Sequence, residues 1–409
     1  MNVVATDKMQ SLIHLPASKS ISNRALVIGA LCEDEVELEN VSGCDDSAVV
    51  AAALCEMPEV IDIKSAGTAM RFLTSFLATR CGEFVLTGSE RMCNRPISVL
   101  VDALRSLGAD ISYVGTEGYP PLKIKGSRVD GGRLALSGNV SSQYISSLLM
   151  IGPTLRKGLA LQLEGNIVSR PYIDMTMSVM RQFGAQVRWS SANEIVVASG
   201  GYSPAAYSIE NDWSAASYWY EMVALSSDEN ARITLPSLFA DSMQGDSVVA
   251  DLFLPLGVKS VYGDNVVIIE KSGSHVSYYE HDMMACPDLA QTIVVACCML
   301  GVPFRLSGLQ TLRIKETDRI AALQCELRKL GFVVDVHEDD AISWDGTQTD
   351  APEPGAVPAI DTYDDHRMAM AFAPVALCRG SIEINNPEVV SKSYPSFWQD
   401  LQKAGFILS

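Results

Sequence analysis

Residues 104–113 read LRSLGADISY, and the same pattern returns four times along the chain. It recurs at 180–189 (MRQFGAQVRW), 252–261 (LFLPLGVKSV), 327–336 (LRKLGFVVDV) and 401–409 (LQKAGFILS). In each copy an amphipathic helix ends in apolar or basic residues, glycine takes the left-handed position after the last helical turn, and a β-rich run follows. The glycines are Gly108, Gly184, Gly257, Gly331 and Gly405, separated by 76, 73, 74 and 74 residues. So regular a spacing marks a repeated supersecondary unit. A sixth, degenerate copy sits at 51–63 (AAALCEMPEVIDI), with Met57-Pro58 in place of the glycine turn. It lies only 50 residues before Gly108, so the first unit is expected to be shortened. Each period holds two helices and several strands, which predicts an α/β chain of two similar domains with three units each. Residues 199–212 (SGGYSPAAYSIEND) are rich in Gly, Ser and Pro and suit the crossover between the triplets.

The totals agree with a two-domain globular chain. Its 409 residues exceed one ordinary core, and 48% are hydrophobic against 20% charged. The longest apolar runs are too short to span a bilayer, and the N-terminus lacks the basic and apolar segments of a secretory signal, so a cytoplasmic protein is expected. Ten cysteines with no CxxC spacing, and five dispersed histidines, predict buried reduced thiols and no metal site. The formal charge of −18 opposes nucleic acid and anionic membranes as partners.

Against that negative field, cations gather where helices start. A helix N-terminus carries partial positive charge, so Lys or Arg there is unfavourable unless an anion joins it, and the backbone N–H groups at the same place bind phosphate or carboxylate. Lys19, Ser20 and Arg24 open one apolar helix, and Gly67 to Arg71 open a second. Arg91 and Arg95 precede a third, with Pro96 expected at its first position. Ser141, Ser142 and Gln143 open a fourth, and Ser169 to Tyr172 a fifth. In the second half, 313–319 (RIKETDR) is expected to start a helix at Lys315, which would stack Lys315 over Arg319 as a mildly unfavourable like-charge pair. Asp364 to Arg367 open the apolar run MAMAFAPVAL, and Lys392 precedes another helix. Any one of these is ordinarily a solvated cation beside a cap. Their recurrence in both halves predicts helix N-termini converging on a cleft that holds highly anionic ligands. Two carboxylates interrupt the pattern. Asp288 in CPDLAQT reads as a plain N-cap, and Glu316 reads either as a neutraliser of Arg319 or as a general acid/base among cations.

The motifs LPASKSISNRAL, SAGTAMRFL, RMCNRPI, VSSQYISSLLM, SRPYIDMT, CPDLAQT, RIKETDRIAAL and DDHRMAMAF, with Lys392, closely resemble in order those of the 3-phosphoshikimate 1-carboxyvinyltransferase (EPSP synthase) family. The resemblance covers nearly the whole chain. It implies two domains of three βαβαββ units, an inside-out α/β barrel arrangement, with one domain at 18–210, the other at 1–17 plus 211–409, and the active site in the cleft between them. It implies enolpyruvyl transfer from phosphoenolpyruvate to 3-phosphoshikimate by addition and elimination through a tetrahedral intermediate, by a monomer without metal or organic cofactor. The residues implied for 3-phosphoshikimate are Lys19, Ser20, Arg24, Ser141, Ser142, Gln143, Ser169, Tyr172, Asp288, Thr311 and Lys315. Those for phosphoenolpyruvate are Lys19, Gly67, Arg95, Gln143, Arg319, Arg367 and Lys392. Asp288 resembles the base for the shikimate 5-hydroxyl and Glu316 the group handling the methylene proton, with Lys19 and His366 in support.

Three departures stand out. The segment 46–65 is short, Thr311 stands where the family commonly has Asn, and Phe72 replaces a frequent Pro beside Gly67. The nearest alternative is UDP-N-acetylglucosamine enolpyruvyl transferase, whose loop cysteine lies five residues before the loop arginine. Here Glu90 occupies that position and Cys93 lies two residues before Arg95. A non-catalytic anion-binding protein of the same fold is the alternative from another class.

Overall fold

The computed structural model describes residues 1–338, 340–347 and 357–409. The chain divides into two compact units, Ala17–Ile209 and Met1–Pro16 with Glu210–Ser409. These junctions fall one residue before 17/18 and 210/211.

One sheet order accounts for most of the fold. Val60–Asp62 runs parallel to Gly82–Thr87, which is antiparallel to Leu122–Gly126, which is antiparallel to Asp110–Tyr113. Four further sheets repeat the order, their outer strands being Val187–Ser191, Val258–Gly263, Asp335–Val336 and Ile407–Leu408. Each outer strand follows one of the five spaced glycines, whose φ angles lie between +79° and +103°. A side chain there would clash with the backbone, so the helix-to-strand reversal selects glycine. The chemistry read from the sequence as a period is thus one turn built five times.

The N-terminus completes the second unit. Asn2–Val4 lies antiparallel between Ser381–Ile384 and Ile407–Leu408, and Gln10–Leu12 lies parallel to Arg232–Pro236. The first unit completes its own opening repeat with Tyr207–Ser208, which pairs in parallel with Leu38–Glu39. That sheet has two strands. The shortening is therefore the loss of the antiparallel pair that ends every other repeat. Met57 does take the left-handed position (φ 45°) after the helix Asp45–Glu56. The strand that follows, Val60–Asp62, already opens the next sheet.

Within each unit, helices form the interior. The helix Trp213–Leu225 is buried at every position except Ser214, and Ala290–Leu300 is buried from Ala290 to Cys298. A helix apolar on all sides belongs at the centre of a core. Strands are buried on alternate residues, as in Leu122, Ile124 and Gly126, so each sheet lays one face on the helices and turns the other outward. In the first unit the helices Lys19–Leu31, Gly67–Ala78, Ser142–Ile151 and Arg170–Gln182 pack on one another in the same way. Among the described residues no helix is long and apolar enough to cross a membrane.

Several expectations are corrected. The helix in 313–329 begins at Arg319, with Asp318 as its cap, and Lys315 is extended. The Asp318 side chain accepts from the Ala321 N–H at 3.1 Å, a better start than a Lys315 left to face the N-terminal dipole. Pro96 lies outside the helix Ser98–Ser106, whose cap is Ile97. Asp288 is not the cap of Ala290–Leu300; that position is Leu289. Cys55, Cys81, Cys325 and Cys378 are exposed rather than buried: Cys55, Cys325 and Cys378 lie on helices, and Cys81 lies in the bend between the helix Gly67–Ala78 and the strand Gly82–Thr87.

Candidate active site

In the second unit, six of the residues singled out from the sequence form one ion-paired network. Asp288 lies in the short 3-10 turn Pro287–Leu289 that leads into an apolar helix, which leaves its carboxylate free to receive side chains. Its Oδ1 is 3.2 Å from Lys315 Nζ and 3.0 Å from Arg319 Nη1, and its Oδ2 is 3.1 Å from Arg367 Nη2. Arg367 also donates to the Asp288 carbonyl at 3.0 Å. Glu316 accepts from Arg319 Nη2 at 2.9 Å with one oxygen and meets Lys392 Nζ at 3.1 Å with the other.

At the centre stands Arg319, 2% exposed. Its far edge is held by Asp365, Nε to Oδ2 at 2.7 Å and Nη2 to Oδ1 at 3.2 Å, a bidentate clamp. Asp365 is fully buried and also caps the helix His366–Phe372 through the Arg367 N–H at 2.9 Å. His366 follows, 2% exposed, with Nδ1 3.8 Å from Asp365 Oδ1. Thr311 carries a buried hydroxyl oxygen that has no hydrogen-bond partner within the protein.

Burial by itself would raise the Asp288 pKa, yet the charges of Arg367, Lys315 and Arg319 hold it well below the usual carboxylate range. For Arg319 burial would lower the pKa, and Asp365, Glu316 and Asp288 hold it above the usual value instead. Both groups are therefore locked in their charged forms. Lys315, Arg319, Arg367 and Lys392 supply four positive charges to the three carboxylates Asp288, Glu316 and Asp365.

The first unit holds its cations differently. Arg24 is 3% exposed, and its guanidinium donates to Thr176 Oγ1 (2.7 Å), the Ser20 carbonyl (2.7 Å), Ser146 Oγ (3.2 Å) and the Tyr172 carbonyl (3.4 Å). Its carbon lies 5.3 Å from the centre of the Phe72 ring. Burial pushes its pKa down to about 10. Phe72 thus turns its bulk under Arg24 and is itself fully buried.

Gly67 opens its helix with no side-chain cap. A methyl group added there would lie 2.8 Å from Arg95 Nη1, so glycine is what lets the Arg95 guanidinium reach the helix end. Gln143 donates to Thr68 Oγ1 at 3.1 Å, and its own N–H is capped by Ser141 at 3.4 Å, one residue before Ser142 starts the helix. Ser169 sits in the left-handed region (φ 54°) at the start of Arg170–Gln182, and its carbonyl accepts from the Tyr172 N–H. Lys19 pairs with Asp46 at 3.2 Å, both largely buried.

The sequence gives no sign of Asp46, Ser146 or Thr176 as partners; it marks Asp365 only as part of a helix opening and Phe72 only as a departure beside Gly67, not as the groups that hold Arg319 and seat Arg24. Asp365 carried a usable signal, a carboxylate just before an apolar helix. The others became relevant only through contacts between distant helices.

A family model described as EPSP synthase (3-phosphoshikimate 1-carboxyvinyltransferase) matches residues 3–58 and 51–401. The 3-phosphoshikimate 1-carboxyvinyltransferase of Bacteroides fragilis (strain YCH46) is 52% identical over 402 residues, spanning 98% of this chain and 97% of its own. Its counterpart in Photobacterium damsela subsp. piscicida is 36% identical over 419 residues, spanning 96% of each. A solved EPSP synthase from Acinetobacter baumannii shares the fold, with a TM-score of 0.79 at 22% identity over 100% of this chain and 99% of that one. Repeat order, motif order and full-length similarity converge: the chain belongs to the EPSP synthase (3-phosphoshikimate 1-carboxyvinyltransferase) family.

Proposed function

We infer that the chain transfers the enolpyruvyl group of phosphoenolpyruvate to the 5-hydroxyl of 3-phosphoshikimate and releases phosphate. The observation that carries this reading is Asp288 at the meeting point of Lys315, Arg319 and Arg367, one residue network away from Glu316 and Lys392. In the proposed reaction a proton reaches the methylene carbon of phosphoenolpyruvate and Asp288 takes the proton of the attacking hydroxyl. A tetrahedral intermediate then expels phosphate, and loss of a methyl proton forms the enol ether. Glu316 handles the carbon-bound proton, supported by Lys19 and His366.

The ligands are assigned as follows. Arg319, Arg367, Lys392, Lys19, Arg95, Gln143 and the Gly67 helix end hold phosphoenolpyruvate. Lys19, Ser20, Arg24, Ser141, Ser142, Gln143, Ser169, Tyr172, Thr311, Lys315 and Asp288 hold 3-phosphoshikimate. Preorganised cations and N–H donors stabilise charge that stays on phosphate and carboxylate throughout, the largest usual source of rate enhancement. The same pairing bears on how Asp288, whose carboxyl its three cations hold well below the usual carboxylate range, acts as a base in this reading. Substrate carboxylate and phosphate draw Arg319, Arg367 and Lys315 away from it, and its proton affinity rises as those charges are shared.

The test is to incubate the purified protein with phosphoenolpyruvate and either 3-phosphoshikimate or UDP-N-acetylglucosamine and to measure phosphate release. Release only with the nucleotide sugar overturns the assignment. The reading also has the protein acting as a monomer in the cytoplasm, which sedimentation velocity and cell fractionation test in turn.

A further inference from the structure

Lys392 reaches Glu316 through a long, rotatable stem, so where its charge stands depends on the backbone that carries it. It is the last residue of the 3-10 segment Pro387–Lys392, which packs on the helix His366–Phe372 that carries Arg367. The segment closes through the Ser393 and Tyr394 N–H groups, which donate to the Val390 carbonyl at 3.1 and 2.7 Å. The hydrogen bonds of a 3-10 run are poorly aligned, so its own bonds hold it weakly. Contacts from outside must fix it.

Two helices supply those contacts. At the start of the segment, Trp398 Nε1 from the helix Phe397–Lys403 donates to the Pro387 carbonyl at 2.8 Å. At the other end, two residues past Lys392, Tyr394 is fully buried with its ring centre 5.5 Å from that of Phe397. Its hydroxyl donates to Asp400 Oδ2 at 3.0 Å and accepts from Trp219 Nε1, on the helix Trp213–Leu225, at 3.2 Å. Asp400 is also fully buried, and it accepts from Ser396 Oγ at 2.9 Å and from Lys403 Nζ at 2.7 Å. Burial and the Asp400 charge push the Tyr394 phenol well above its usual value, so it stays a donor. A buried tyrosine hydroxyl needs partners for the sake of the core alone. What sets this one apart is its place: with Trp398 it pins the Lys392 segment at both ends, and Trp219 ties that segment to the buried helix of the unit.

We propose that Tyr394 is a positioning residue for Lys392: its hydroxyl, fixed between Trp219 and Asp400, sets where Lys392 Nζ stands once phosphoenolpyruvate draws it from Glu316. This rests on the assignment of Lys392 to phosphoenolpyruvate given above. Within the ion-paired network Lys392 takes its direction from Glu316, 3.1 Å away. When that pair opens, the four-carbon stem is free to swing, and the backbone at 392–394 becomes its fixed point. A small displacement of that backbone is then passed on to the ammonium group, and misplaced groups bind and react poorly. Tyr394 acts through the chain and touches no substrate.

The experiment is a double-mutant cycle of Tyr394→Phe and Lys392→Met in the full-length protein, reading kcat and the apparent KM for each substrate. Tyr394→Phe keeps the ring and removes the hydroxyl. It should raise KM for phosphoenolpyruvate about threefold to tenfold, the weight of a hydrogen bond, while KM for 3-phosphoshikimate stays within about twofold. In the Lys392→Met background the same change should add less than about twofold, because it acts through the missing lysine. Tyr220→Phe breaks the 2.6 Å bond between the Tyr220 and Ser260 hydroxyls elsewhere on the same helix, and it should leave both KM values unchanged. Full additivity in the cycle, or an equal rise in KM in Tyr220→Phe, shows a merely structural role and overturns the inference. Wild-type phosphoenolpyruvate affinity in Tyr394→Phe with a loss in Lys392→Met overturns it alone; wild-type affinity in Lys392→Met overturns the site assignment with it. If Tyr394→Phe does not fold, Trp219→Phe removes the other hydrogen bond of the same hydroxyl and takes its place in the cycle.

Discussion

The two units keep their arginines in opposite ways. Arg319 in the second unit is buried among three carboxylates, Asp365, Asp288 and Glu316, and its charge is fully compensated. Arg24 in the first unit is as deeply buried but is surrounded by hydroxyls, carbonyls and the Phe72 ring. A compensated cation stabilises the fold and must be won over by a ligand. A cation with neutral neighbours stores the cost of its burial and releases it when an anion binds. The lesson is that a buried cation can be held either by carboxylates or by neutral groups alone, and this chain does one in each unit.

The comparison breaks most visibly at the carboxylates that compete. Asp288→Asn removes the proposed base and should lower kcat by about 10² to 10⁴, read by phosphate release, as should Glu316→Gln. Binding of 3-phosphoshikimate to Glu316→Gln, followed by fluorescence titration, should be largely retained. Wild-type turnover in both variants would take these residues out of the mechanism.

Next comes Asp365→Ala, which leaves Arg319 buried without its bidentate partner. Loss of one side of a buried pair costs about 3–5 kcal/mol, and denaturant titration should show it. A loss within experimental error would mean that Asp288 and Glu316 suffice to hold Arg319.

The first unit should respond in the reverse sense. Arg24→Met removes a buried charge that has no carboxylate and keeps the volume under Phe72, so stability should change by about 1 kcal/mol or less. The affinity for 3-phosphoshikimate should fall about tenfold to a hundredfold, as expected for lost hydrogen bonds to a charged group. A large loss of stability with unchanged affinity would reverse the contrast.

The smallest effect sharpens the contrast within the second unit. Glu221 is fully buried in the helix Trp213–Leu225, both of its oxygens lack partners in the protein, and burial raises its pKa well above the usual value. Asp288 is shifted in the opposite direction by its three cations. The native chain therefore keeps a proton on Glu221 that the unfolded chain gives up above about pH 4.3, so this group lowers stability as pH rises from there. Asp288 contributes stability that is present above about pH 3.9 and lost as pH falls below it. Glu221→Gln should raise the melting temperature more at pH 8 than at pH 5. An equal shift at both pH values would mean that Glu221 ionises freely.

Much of this was legible in the chain itself. The five glycines mark turns that only a residue without Cβ makes at low cost, so their spacing carried the repeat and hence the fold. The excess of Lys and Arg at helix starts carried the anionic character of the ligands, because such placement is unfavourable without one. Local reading failed where a competing partner lay far off in sequence. Lys315 was expected inside a helix, but Asp318 is the better cap and Asp288, 27 residues upstream, draws Lys315 out. Asp288 looked like a cap, and its real partners come from residues 315, 319 and 367.

What the amino-acid order determined alone is therefore local and periodic: where helices end, where strands begin again, and which helix ends are charged. Which strand fills each sheet was decided by the folded chain, as when residues 2–12 completed the second unit and Tyr207–Ser208 completed the first. So was which carboxylate pairs with which arginine. Backbone turns depend on φ and ψ of a few neighbours, whereas ion pairing in a dry interior depends on distances of a few ångströms between elements that the sequence spaces dozens of residues apart.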